Sequence, residues 1–117
     1  MPTGPIQPGE VVFIRGRATS YASASIVAAG ANGQWKVRYD GAGGGEEEVA
    51  ADRVVRQPTS MKGIRYAPNQ LVLVEWHGLF VGGKVVRETG RSEYKIRFDG
   101  QGPAADEIVP AKRLRPR

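Results

Sequence analysis

The chain has 117 residues, a net charge of +5 and no cysteine, which excludes disulfides, zinc–thiolate sites and thiol chemistry and fits a reducing compartment. No apolar run approaches the roughly 18 residues of a membrane-spanning helix. The opening MPTGPIQPGE lacks the basic-then-apolar order of a secretory signal. The expected location is therefore intracellular, in the cytoplasm or associated with chromatin or a nucleoid.

Sixteen glycines and eight prolines punctuate short runs such as VVFIRG, LVLVEW and YKIRF, in which apolar residues alternate with others. Alternation of period two predicts half-buried strands, and no long stripe at helical spacing competes with it. The predicted fold class is all-β. In chain order, strands are expected near 10–15, 22–28, 35–40, 47–50 and 54–56, and again near 70–76, 81–88, 93–99, 106–109 and 113–115. The connections have turn chemistry: ANG at 31–33, DGAGGG at 40–45, TGR at 89–91 and DGQG at 99–102.

The second set repeats the first. WKVRYDG at 35–41 returns as YKIRFDG at 94–100. Extended outward, QPGEVVFIRG (7–16) matches APNQLVLVEW (67–76) at an offset of 60, and 21–41 matches 80–100 at an offset of 59. Carrying that offset onward sets GGGEEEVAADRVVR (43–56) against GPAADEIVPAKRLR (102–115) and predicts Val49 or Ile108 as the inward residue of strand four. A repeat of about fifty residues is too long for a solenoid turn and suits one small barrel. The expected domains are 6–57 and 66–116, joined by QPTSMKGIRY (57–66).

Each copy reads as alternating valines, a turn, a strand of small residues, then Y/W-x-V-x-Y/F-D-G, an acidic group, Val or Ile, and a closing basic segment. This ordered set, with YKIRFDGQGPAADEIVPAKRLRP as its fullest example, resembles the Tudor/Agenet group of SH3-like barrels, Agenet above all. The resemblance covers nearly the whole chain, twice over. It implies two tandem five-stranded barrels and a non-catalytic module that binds a protein or peptide tail. It also implies a cage of aromatic rings for a methylated lysine or arginine. A methylammonium is a bulky, weakly hydrated cation that ring faces attract without hydrogen bonds.

Carried over position by position, the cage falls on Trp76, Phe80 and Phe98 in the second copy, with Asp99 as the flanking acid, and on Tyr21 and Tyr39 in the first. Trp76 has Gly16 as its counterpart. Aligning on Gly83 and Val85 moves the middle cage position from Phe80 to Val81. Val37 and Ile96 are expected in the core, with Trp35 and Tyr94 packing beside them.

A second reading starts from charge. Residues 1–57 hold six Lys/Arg and six Asp/Glu, whereas 58–117 hold eleven and six, so the whole excess lies in the second copy. Lys84, Arg87, Lys95 and Arg97 fall on neighbouring strands, and Lys112 and Arg113 lie in the tail. Such a basic stripe is a footprint of DNA or RNA binding. His77 is the only histidine, so no metal pair is available, and no nucleophile–base set or phosphate loop is present. No enzyme activity and no cofactor are expected.

Overall fold

The computed structural model describes residues 4–16, 19–41, 44–58, 60–77 and 79–117. Ala42 and Gly43 of the expected turn at 40–45, and Gly78, lie outside the described residues. The chain divides into two compact units, Met1–Thr59 and Ser60–Arg117.

Unit 1 contains β1 (Val11–Arg15), β2 (Ser20–Ala29), β3 (Gln34–Tyr39), β4 (Glu46–Ala50) and β5 (Val54–Arg56). Unit 2 repeats the set as β6 (Leu71–Trp76), β7 (Leu79–Gly90), β8 (Glu93–Phe98), β9 (Glu107–Pro110) and β10 (Leu114–Pro116). All pairings within a unit are antiparallel. The spatial order is β4-β3-β2-β1-β5 in unit 1 and β9-β8-β7-β6-β10 in unit 2. The last strand returns to pair with the first, which is the order of an SH3-like barrel. The remaining connections include single 3-10 turns at Ala31–Gly33, Ala51–Arg53, Pro103–Ala105 and Ala111–Arg113. The expected TGR turn is displaced: β7 runs on through Gly90, and Arg91 and Ser92 make the turn, Ser92 with φ 58°.

One long strand in each unit serves two neighbours. β7 pairs with β6 over Leu79–Lys84 and with β8 over Gly83–Gly90, which requires the sheet to coil. Register shifts between Ile26 and Ala28 and between Val85 and Arg87 supply the bend at matching places. Each sheet then wraps its own core. Val12, Ile14, Ala24, Ile26, Val37 and Val49 fill unit 1. Tyr66, Val72, Val74, Val85, Tyr94, Ile96, Val109 and Leu114 fill unit 2. The Tyr66 and Tyr94 rings meet edge to face at 5.4 Å, and the Tyr94 hydroxyl accepts the Tyr66 N–H at 3.3 Å. Burial pushes the Tyr66 phenol up to about 12. Val37, Ile96 and Tyr94 are buried as expected, and Trp35 is half-buried against the unit 1 core.

The copies differ in register beyond the DG turn. Trp35 faces Val49, whereas Tyr94 faces Val109, so the offset returns to 60 rather than staying at 59. Two equivalent arginines agree: Arg53 Nε donates to the Arg15 carbonyl at 2.9 Å, and Arg113 Nε to that of Glu75 at 3.1 Å. The inward residue of β9 is therefore Val109, and Ile108 is 59% exposed. One extra residue enters the loop containing the Pro103–Ala105 turn.

In unit 1, Arg56 clamps Glu10 through two hydrogen bonds of 2.6 and 2.8 Å and also donates to the Gly4 carbonyl at 2.7 Å. The bonds from Arg56 hold the Glu10 carboxyl below the usual range.

Two predictions follow from this packing. Val109→Ala lowers unfolding stability by about 2 kcal/mol, while Ile108→Ala stays within about 0.5 kcal/mol; urea denaturation distinguishes this register from the opposite one. Glu10→Gln lowers the melting temperature at neutral pH. Because the folded pKa is depressed, the ion pair stabilises fully above the ordinary carboxylate value and is lost as pH falls through the folded one. The difference between wild type and variant therefore closes in acid.

Candidate functional site

The pleat of β6 turns Val72, Val74 and Trp76 to the same side. The first two are fully buried, and Trp76, where the strand leaves the core, is 39% exposed. β8 does the same with Tyr94, Ile96 and Phe98: two buried residues, then a half-buried ring against the edge of the core. The two strand ends bring Trp76 and Phe98 together edge to face, with centroids 5.8 Å apart and planes at 74°. The His77 ring stands perpendicular to the indole at 5.2 Å, on a residue in the left-handed region at φ 51°. Leu79, directly across from Trp76, is 61% exposed and extends the apolar rim.

Two charged groups complete the rim. Arg113 holds the Glu75 carbonyl with Nε and Nη2 at 3.1 and 2.7 Å, and its guanidinium carbon stands 5.8 Å from the centre of the Trp76 ring. A cation thus already lies over the indole. Glu107 sits opposite Ile96, so the register turns it to the core side, diagonal to Phe98.

Unit 1 gives the same positions a different content. Gly16 occupies the place of Trp76, its N–H bonded to the Ser20 carbonyl at 2.9 Å, so half of the ring pair is missing. Tyr39 occupies the place of Phe98 and donates its hydroxyl to Glu47, the counterpart of Glu107. Arg53, the counterpart of Arg113, lies 4.0 Å from the same carboxylate. Burial, then the bond to Glu47, raises the Tyr39 phenol above its ordinary pKa. The mouth of unit 1 is thus occupied by a tyrosine–glutamate–arginine set bonded within itself.

The other residues expected at the ring site lie elsewhere. Phe80 faces Glu75 across the β6–β7 pair and so lies on the opposite face from Trp76, with the Arg115 guanidinium 5.8 Å from its ring centre. Val81, the alternative cage position, packs against the core. Asp99 is bound by Arg117 at 2.6 and 3.3 Å, and Arg117 also donates to the Gly83 carbonyl at 3.0 Å. This pair closes over Gly82, where a Cβ would lie 2.3 Å from both the carboxylate and the guanidinium. Tyr21 is 8% exposed, faces Arg15, and points away from the side that carries Tyr39. Of the six expected peptide-binding residues, the structure joins only Trp76 and Phe98.

The basic set also divides. Lys84 faces Arg97, and Arg87 faces Lys95, so these four share the outer face of β7 and β8. Arg97 is held by Asp106 through two bonds of 3.0 Å, and this bond lowers the Asp106 pKa. Lys112 is exposed in the last 3-10 turn, and Arg113 belongs to the ring site. A separate cavity of about 570 Å³ in unit 2 is lined by Ile64, Tyr94 and Arg91 among others, and Arg65 and Glu88 pair across its lip at 2.9 and 3.1 Å. Among the described residues, no group of three or more His, Asp or Glu could hold a metal ion.

Sequence reading did not place Glu107 and Arg113 at the ring site. The Tyr39–Glu47–Arg53 set of the other copy is the signal that points to them, but only once the offset of 60 is known.

Comparison with known proteins agrees with this architecture. Residues 73–117 match the Agenet domain family. Among solved structures, the chain is similar to tandem Agenet domains 3 and 4 of AGDP1 from Arabidopsis thaliana: TM-score 0.66, 17% identity, 96% of this chain and 82% of that one covered. It is also similar to tandem Agenet domains 3–4 of ADCP1, with TM-score 0.64, 18% identity and coverage of 96% and 80%. No curated protein sequence matches the chain significantly.

The unit 1 mouth is testable by alkaline titration. Glu47→Gln removes a negative charge and a strong acceptor that favours the protonated phenol, so the Tyr39 pKa falls toward its ordinary value. Ultraviolet difference absorbance reads the shift, and an unchanged tyrosine titration contradicts the arrangement.

Proposed function

We propose that this chain, a tandem of Agenet/Tudor-like domains, is a non-catalytic module whose second unit holds a basic peptide segment by a methylated lysine or arginine. Agenet domains are generally binding modules. The single observation that carries the finer reading is the half-exposed Trp76–Phe98 ring pair at the mouth of unit 2. A methylammonium set against these rings loses little hydration and gains the attraction of their faces. Glu107, turned to the same side and freed of the tyrosine that occupies Glu47 in unit 1, supplies negative charge nearby.

Arg113 supports the reading and sharpens it. Its guanidinium already rests over Trp76, so the ring is oriented for a cation. An incoming methylammonium takes the free surface of the ring pair or displaces Arg113. Unit 1, with Gly16 in place of the indole, is the weaker partner and serves mainly to support the fold.

Calorimetric titration of the whole chain against one lysine-containing peptide, unmethylated and trimethylated, tests the reading. The methylated form binds more tightly, and Trp76→Ala costs it at least about tenfold in affinity, the order of one desolvated cation–ring contact. An affinity unchanged in a Trp76→Ala variant that remains folded by circular dichroism removes the proposal.

A further inference from the structure

The outer face of the β7–β8–β9 sheet differs in charge from its counterpart in unit 1, although the backbone is the same. In unit 1 this face carries Ser25, Ala28, Lys36, Arg38, Glu46 and Glu48. Its two cations are balanced by two carboxylates, and Glu46 pairs with both Lys36 at 3.3 Å and Arg38. In unit 2 the same places hold Lys84, Arg87, Lys95, Arg97, Asp106 and Ile108. Four cations now face one carboxylate at these places, and Glu93, at the start of β8 on the same side, adds a second, which leaves an excess of two positive charges where unit 1 is balanced. Asp106 is committed to Arg97, and among the described residues Lys84, Arg87 and Lys95 have no ion-pair partner. The substitution at Ile108 removes the acid that would stand opposite Lys95 and leaves an apolar side chain 59% exposed.

From this we infer a second binding surface, separate from the ring site: the outer face of β7 and β8 takes the phosphate backbone of nucleic acid, through Lys84, Arg87 and Lys95. The three cations lie on adjacent strands, and same-side residues along a strand are about 6.7 Å apart. Arg87 stands directly opposite Lys95, and Lys84 lies one bulged step along β7 on the same side, so the three present clustered positive charge to a polyanion. β8 is hydrogen-bonded to β7 on one edge and, over Glu93–Ile96, to β9 on the other, so there an acidic peptide cannot add as a further strand and would rely on side chains alone. Where β7 and β8 pair, from Lys84 to Gly90 and from Glu93 to Arg97, this face carries no aromatic ring for stacking and no amide side chain for reading base edges; Phe80, farther along β7, has the Arg115 guanidinium 5.8 Å from its ring centre. Contact is therefore with phosphates and independent of sequence. Arg97 is not a primary contact; it neutralises Asp106, which would otherwise repel the ligand.

Fluorescence anisotropy with a labelled DNA duplex, between about 50 and about 200 mM salt, tests this. Three phosphate contacts give a slope of log affinity against log salt of about −2.7. The triple variant Lys84→Ala, Arg87→Ala, Lys95→Ala loses most of that slope and at least about tenfold in affinity at low salt, each single change removing about one unit of slope. Trp76→Ala leaves duplex binding unchanged, which separates this surface from the methyl-cation reading. Binding indifferent to salt, a folded triple variant that binds as wild type, or a polyglutamate of equal charge that competes as well as the duplex each overturns the proposal, the last in favour of an acidic protein partner.

Discussion

The pleat of β6 is the constraint on which the rest depends. Because successive side chains alternate, the strand that drives Val72 and Val74 into the core must bring its next same-side residue to the point where the core ends. That residue is Trp76. β8 obeys the same rule with Tyr94, Ile96 and Phe98, and the coil of the sheet brings the two strand ends to one mouth. The ring pair is thus held by the same packing that stabilises the unit, and its geometry does not rely on loop conformation. Glycine contributes on the opposite side: Gly82 leaves room for Asp99 and Arg117 to close across β7 where any Cβ would collide with them.

Duplication turns unit 1 into an internal control. The same scaffold with Gly16 for Trp76 and Tyr39 for Phe98 satisfies its polar groups among themselves. On the outer face, the same scaffold with Glu48 for Ile108 and small residues for Lys84 and Arg87 is electrically balanced. Both departures of unit 2 point toward external partners, one cationic and one anionic. They occupy opposite faces of the sheet, so the two need not exclude each other.

Much of this was legible in the residues. Period-two alternation located all ten strands to within about two residues, and the return of WKVRYDG as YKIRFDG exposed the tandem. Trp76 and Phe98 came from the resemblance to the Agenet pattern, and the alternation of β6 and β8 agrees in turning them to the same side as the buried Val74 and Ile96. Phe80, Asp99 and Tyr21 were harder. A one-residue step along a strand reverses the face, and strand ends carry little apolar pattern to fix the phase. The acidic runs of the two copies slide past each other without penalty, which hid the inserted residue before β9 and made Ile108 rather than Val109 look inward. Partners of long side chains were not readable at all: that Arg97 answers to Asp106, Asp99 to Arg117 and Arg113 to the indole depends on register and reach.

The central proposal is that the mouth of unit 2 receives a methylated cation against the free surface of the Trp76–Phe98 ring pair. The most direct measurement is a nuclear magnetic resonance titration of the isotope-labelled chain with free trimethyl-lysine. The account predicts that the Trp76 indole N–H, the Phe98 ring and the Arg113 side chain shift together, while Tyr39 and Phe80 stay still. Shifts centred on unit 1 or on Phe80 and Asp99, or none at the indole, would contradict it.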